Sequence, residues 1–141
     1  MNFIGRFGYI VAYPLIKLVL DNTRRSYVVI ECGGRFLFTK NWLGTHKEWR
    51  LPGGGLKTKE DYRDAVVREL QEETGILVLK NQLKPINIKQ RRFAYFYIRL
   101  KSQPILLLQK PEILDAKFIE LKRLASYKID KRVLEVLGRL K

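Results

Sequence analysis

Residues 54–76 read GGLKTKEDYRDAVVRELQEETGI, and no other stretch of the chain restricts its fold as tightly. A glycine-rich turn, Leu51-Pro52-Gly53-Gly54-Gly55, runs into a segment with apolar residues at helical spacing. Thr58 or Asp61 can cap the start of that helix, and Gly75 stands where a helix would stop. Helical residues advance by about 100° each, so with Tyr62 at the origin Ala65, Val66 and Leu70 fall within an arc of roughly 140°. That arc is the face expected against a core. Glu69 and Glu73 fall inside it and Glu72 sits at its edge, while Asp64 and Arg68 take the outward side. Glu69 and Glu73 are four apart, so their charges repel, and burying an unpaired carboxylate is expensive. Hard oxygen ligands around Mg²⁺ or Mn²⁺ would resolve both difficulties. A solvated, glutamate-rich face is the plainer alternative. The glycine turn, whose backbone can approach a ligand or metal closely, favours a site.

Around this segment the chain reads as alternating strands. Ser26 to Glu31 is rich in β-formers, Cys32-Gly33-Gly34 is a hairpin turn, and Arg35 to Lys40 returns. Asn41 to Glu48 is a polar loop, and Trp49 to Leu51 leads into the glycine turn. Ile76 to Leu79, Ile86 to Lys89, Arg92 to Leu100, Ile105 to Gln109 and Ala116 to Leu121 are strand candidates. Alternation places Phe93, Tyr95 and Tyr97 on one face and Ala94 and Phe96 on the other. Ile129 to Leu140 has the spacing of an amphipathic helix. Strands on both sides of a central helix, with a second helix at the end, predict an α/β fold in which a mixed sheet lies between helices.

The length suits one domain with a sizeable core. We expect residues 25–141 to form it, with 1–24 an apolar N-terminal extension packed on the core or on a second subunit, as in a homodimer. Phe3 to Leu20 is apolar but interrupted by Arg6, Pro14 and Lys17, which predicts no stable membrane span. No small-residue cleavage site follows it. Attachment to an anionic membrane surface through Lys17, Arg24 and Arg25 is the rival expectation. Cys32 is the only cysteine. No intrachain disulfide can form, in keeping with a reducing, cytoplasmic setting. His46 reads as a loop residue near the mouth of the site.

The segment from Gly54 to Ile76 resembles the signature box of the Nudix hydrolases. It matches at Gly54, Glu60, Arg68, Glu69, Leu70, Glu72, Glu73, Gly75 and Ile76, and Trp49 to Gly53 resembles the usual lead-in. The box covers about a sixth of the chain. The resemblance implies an α/β/α sandwich and a Mg²⁺-dependent enzyme, with Mn²⁺ a possible substitute. Such an enzyme hydrolyses a phosphoanhydride bond in a nucleoside diphosphate linked to another moiety. It also implies ligands: Glu69, Glu72 and Glu73, with the Gly53 carbonyl and, from a later loop, Glu112; Asp115 is the weaker choice there. Arg68 and Glu60 would hold these carboxylates in place, and Glu69 or a neighbour would orient or deprotonate water. One departure stands out. Many members carry an acidic residue and a glycine in the loop before the first box glutamate, where this chain has Lys57 and Lys59.

The substrate is left open. Lys and Arg total 28 against 14 Asp and Glu, so anions are favoured. A nucleotide-type small molecule fits, and so does the 5′ end of an RNA. Arg91 and Arg92 beside Phe93, Tyr95, Phe96 and Tyr97 mix basic and aromatic side chains as nucleic-acid binders do, although ordinary strand packing explains the same pattern. Trp42, Tyr95 and Arg91 are the candidate substrate contacts. A non-catalytic nucleotide-binding module on the same fold is the third alternative.

Overall fold

The computed structural model describes residues 23–42 and 48–140. His46 and nearly all of the expected N-terminal extension lie outside the described residues. In chain order the elements are β1 (Arg25–Cys32), β2 (Arg35–Asn41), β3 (Trp49–Arg50), β4 (Gly53–Gly55), α1 (Tyr62–Thr74), β5 (Lys84–Ile86), β6 (Phe93–Leu100), β7 (Ile113–Glu120) and α2 (Lys131–Gly138). Short 3₁₀ turns occupy Lys80–Gln82 and Leu121–Ser126.

β1 is the spine of the sheet. It pairs in parallel with β6 along its whole length, from Arg25 opposite Phe93 to Cys32 opposite Leu100. Its other edge is shared, with antiparallel β4 beside Arg25 to Tyr27 and antiparallel β2 beside Glu31 and Cys32. β7 and β3 extend the sheet from β2, and β5 closes the far side on β6. The β1–β2 turn is Gly33-Gly34, both with positive φ, as a two-residue hairpin with the sheet's twist requires.

Alternation along the strands divides the core in two. Val28, Ile30, Leu37, Phe96 and Ile98 pack against Val66 and Leu70 of α1. Val29, Phe36, Phe38, Tyr95 and Ile119 point the other way, toward Val133 and Val136 of α2. The sheet therefore lies between two helices, as expected, and Tyr95 and Phe96 fall on opposite faces. Asp61 caps α1 by accepting from the Asp64 N–H at 2.8 Å. Gly75 ends it with φ 74°. Arg63 ties the helix to the following segment, donating to the carbonyls of Lys80 and Leu83 and lying over the Phe96 ring.

Four expectations are corrected. The glycines after Pro52 form a strand rather than a flexible turn, because β1 offers them an open antiparallel edge. Ile76 to Leu79 and Ile105 to Gln109 are not strands. The first buries alternate residues, Ile76 and Val78, on the α1 core, and the second packs only Leu106 against it. Their other side chains, among them Leu77, Ile105 and Leu107, are exposed. Ile86 to Lys89 is displaced: the strand is Lys84–Ile86.

Lys59, where the glycine of many similar loops would stand, has φ 63°. A side chain in this left-handed region costs roughly 1 kcal/mol. Lys59→Gly should therefore stabilise the fold by up to about 1 kcal/mol, read as a higher midpoint in urea. A lower midpoint would show that Lys59 makes contacts worth more than its strain.

Candidate active site

The site lies where β4 meets α1. Gly54 is opposite Ser26 on β1, and a Cβ added to it would come within 2.5 Å of a Glu69 carboxylate oxygen. A Cβ on Gly53, whose φ is 144°, would lie 2.1 Å from the Ser26 carbonyl oxygen. The two glycines thus serve different needs: Gly53 lets β4 close on β1, and Gly54 leaves room for a carboxylate. The Gly53 N–H donates to Glu73 Oε2 at 3.1 Å.

Glu69 and Glu73 point inward, as the helical wheel predicts; only 6% and 4% of each is exposed. Glu72 is half-buried at the edge. Burial pushes the Glu73 carboxyl up to about 8, and the nearby Glu69 and Glu112 charges add to the rise. Glu112 is half-buried in the loop before β7, close enough for its charge to act on Glu73 although far away in sequence.

Arg68 departs from the helical wheel, although its contacts are those the resemblance implies for it. The wheel places it outward, yet it is largely covered and turned back into the site. Its Nε and Nη2 grip both Glu60 oxygens at 2.8 and 2.9 Å, Nη1 reaches Glu69 Oε1 at 2.8 Å, and Nη2 also donates to the Gly55 carbonyl at 2.9 Å. A weaker contact reaches Glu72 Oε2 at 3.4 Å. The reason is reach: a guanidinium on a long flexible stem can fold back over its own helix toward charge. The Arg68 hydrogen bonds hold the Glu60 carboxyl down to about 2.

Lys110, unanticipated from sequence, completes the cluster. Its Nζ lies 2.5 Å from Glu69 Oε2 and 3.1 Å from Glu72 Oε2. Burial works against its charge, but the bonds to Glu69 and Glu72 and the charges of Glu69 and Glu73 together outweigh it, and the net shift is upward. For Glu72, burial opposes ionisation, yet the Lys110 bond and the charges of Lys110, Arg68 and Lys57 together bring the net shift downward. Among the described residues no three acidic side chains converge on one point as a preformed metal cage would require. The cation at the centre of the group is the Lys110 ammonium. The donor set of hard oxygens nonetheless fits a divalent cation: it is buried, rich in carboxylates, and already holds one positive charge between Glu69 and Glu72.

The candidate substrate contacts are dispersed. Trp42 is half-buried at the end of β2, and its N–H donates to the Glu112 carbonyl at 3.1 Å, which puts it beside the loop carrying Glu112. Arg91 is exposed in the turn before β6. Tyr95 stacks on Tyr27 in the core that faces α2, so the sheet separates it from the α1 carboxylates. Its buried hydroxyl has no hydrogen-bond partner among the described residues, and burial raises its pKa to about 12.

A glycine strand set against a helix that buries two glutamates, with an arginine fixing a third, defines a Nudix-type centre. The NUDIX domain model matches residues 22–138, and the chain belongs to that family. Among curated relatives, the RNA pyrophosphohydrolase of Dinoroseobacter shibae is 35% identical over 71 residues, covering 50% of this chain and 41% of that protein. The chain's matches span only 18% to 41% of the length of its curated relatives. Among solved structures, the NUDIX domain of Shewanella oneidensis NrtR complexed with ADP ribose superposes with a TM-score of 0.71 at 16% identity, covering 99% of this chain and 97% of that one. A bifunctional NMN adenylyltransferase/ADP ribose pyrophosphatase from Francisella tularensis, complexed with AMP and a Mn ion, superposes at 0.69 and 19% identity, covering 97% of this chain and 47% of that one. No helix among the described residues is long and apolar enough to cross a membrane.

The Glu60–Arg68 pair gives a pH prediction. Its carboxyl lies below the ordinary 4.5 in the folded state. The stability it contributes is therefore present above about pH 4.5 and lost as pH falls toward 2. Glu60→Gln should cost about 1–2 kcal/mol at pH 7, allowing for solvent screening of a pair at the site's edge. The gap from wild type should close below pH 3 in urea titrations. A gap unchanged from pH 7 to pH 2.5 would show that Glu60 acts by packing alone.

Proposed function

We propose that the protein is a Mg²⁺-dependent hydrolase that cleaves a phosphoanhydride bond in a nucleoside diphosphate linked to another moiety. The observation that carries this reading is the pair Glu69 and Glu73, buried side by side on a face where apolar residues would be stable. Family membership supports it, as do the hydrolase names of the curated relatives and the nucleotide-type ligands of the structural neighbours.

Glu69, Glu72 and Glu73 would hold the cation, with the Gly53 carbonyl and Glu112 as further oxygen donors. A divalent cation held by these groups would neutralise charge on the diphosphate and lower the pKa of an attacking water. The protein's own groups do the rest. Arg68 fixes Glu69 through one arm and Glu60 through the other, so the carboxylates do not reorganise as charge develops. The Gly53 N–H holds Glu73 Oε2 and so orients Oε1 to accept a proton from water. Water attacks phosphorus, the bridging P–O bond breaks, and the products are two phosphate monoesters; Glu112 stands near enough to share the released proton. Trp42, beside Glu112, would meet the nucleotide part. A cytoplasmic setting suits the buried free thiol of Cys32.

A second reading, the triphosphorylated 5′ end of RNA as substrate, is favoured by the match to an RNA pyrophosphohydrolase over half of this chain. The formal charge of +14 agrees with it. Such binding would weaken steeply with salt.

The test is a hydrolysis screen with and without Mg²⁺ or Mn²⁺ over nucleoside triphosphates, nucleotide sugars, dinucleoside polyphosphates and triphosphorylated RNA. Glu73→Gln should lower the rate by at least about 100-fold, in line with losing a charged ligand from a metal centre. In metal-free buffer at neutral pH it should melt no lower than wild type, since burial already holds the Glu73 carboxyl largely protonated and Gln is likewise neutral and keeps an acceptor for the Gly53 N–H. A retained rate would sink the metal assignment. Glu112→Gln should slow turnover without abolishing it, and identical kinetics would reduce Glu112 to a loop residue.

A further inference from the structure

Lys110 is not one of the nine box positions, and its loop, residues 101–112, carries no regular structure until it reaches β7. The loop is nonetheless held against α1. The Leu107 N–H donates to the Thr74 carbonyl at 2.8 Å, and the Leu107 side chain closes over Gly75. From that anchor the chain delivers the Lys110 ammonium onto Glu69 and Glu72, at 2.5 and 3.1 Å. These are two of the three carboxylates assigned to the cation. Lys110 is more than three-quarters covered, so it sits within the acidic cluster instead of bridging across its rim.

A buried cluster of like charges is costly without compensation. Arg68 satisfies Glu60 and one oxygen of Glu69 and reaches Glu72 Oε2 only at 3.4 Å, which leaves Glu69 Oε2 and Glu72 Oε2 to Lys110. An ammonium and a divalent cation compete for the same oxygens, because each charge-assisted contact occupies a lone pair that the other needs.

We propose that Lys110 is a tethered counter-cation. It holds the carboxylate pair together before a divalent ion binds, and it must leave when the ion enters, carrying the loop 101–112 with it. Lys110 is thus a positioning residue that weakens metal affinity in return for a preformed site. Once displaced, its ammonium stays within reach of the cluster at the end of its long side chain, where it would meet an incoming phosphate. The inference rests on the metal reading given above. It goes further by naming the residue that sets metal affinity and the segment that moves.

The test is Mn²⁺ titration of the full chain by calorimetry, without substrate, for wild type, Lys110→Gln and Lys57→Gln. Lys57 is an exposed lysine whose charge also acts on Glu72, so it controls for simple loss of positive charge. Lys110→Gln should bind Mn²⁺ about 3- to 10-fold tighter than wild type, and Lys57→Gln should change affinity less. Amide exchange on the wild type provides a readout that needs no variant: Mn²⁺ should speed exchange at Leu107 to Leu108 while slowing it in α1. Wild type that binds Mn²⁺ with no tightening in Lys110→Gln, or none beyond that in Lys57→Gln, overturns the inference and leaves the metal reading standing. Unchanged exchange in the loop on metal binding overturns it equally. Failure of both wild type and Lys110→Gln to bind Mn²⁺ would overturn the metal reading, and the inference with it.

Discussion

Mutual repulsion between Glu69 and Glu73 is the constraint around which the rest of this molecule is arranged. Both carboxylates lie on the face of α1 that packs against the sheet, where Val66 and Leu70 do the ordinary work of filling a core. Two groups the size of glutamate cannot be left uncompensated there. The structure answers with Arg68, the Gly53 N–H and Lys110, each drawn from a different part of the chain. Removing a compensating group should leave a buried charge rather than a mere gap, which is why these positions carry more consequence than their small number suggests.

The fold supplies the geometry for that compensation. β1 offers one edge to β4 and the other to β6, so the strand bearing the glycines is fixed to the centre of the sheet. Gly54 then has space that a Cβ would deny to Glu69. α1 is capped at Asp61, stopped at Gly75 and tied by Arg63, so its glutamates are presented by a helix secured along its length. The α2 side of the sheet, with Tyr95, Trp49 and Phe38, is a conventional apolar layer that supports the strands from behind.

Most of this frame can be read from sequence because it depends on periodicity and on local chemistry. The inward aim of Glu69 and Glu73, the edge position of Glu72, the caps, the Gly33-Gly34 hairpin and the two faces of β6 all follow from spacing. The rest depends on facts that spacing does not contain. Alternation in Ile76 to Leu79 tells which side chains go in, but neither there nor in Ile105 to Gln109 does it tell whether a neighbouring strand exists to pair with. A wheel fixes where the Arg68 Cα faces, but not where a guanidinium several bonds away will settle. Lys110 is separated from Glu69 by a whole sheet crossing, and nothing local distinguishes it from the other lysines. Tyr95 has the aromatic character of a substrate contact, and only the order of strands assigns it to the layer behind the sheet.

The central claim is that the buried carboxylates exist to hold a divalent cation. The most direct measurement is an anomalous difference map from crystals soaked in Mn²⁺. The account predicts a peak bounded by Glu69, Glu72 and Glu73, with the Lys110 ammonium withdrawn from Glu69. A map with no peak at this cluster, and Lys110 still seated between Glu69 and Glu72, would contradict it.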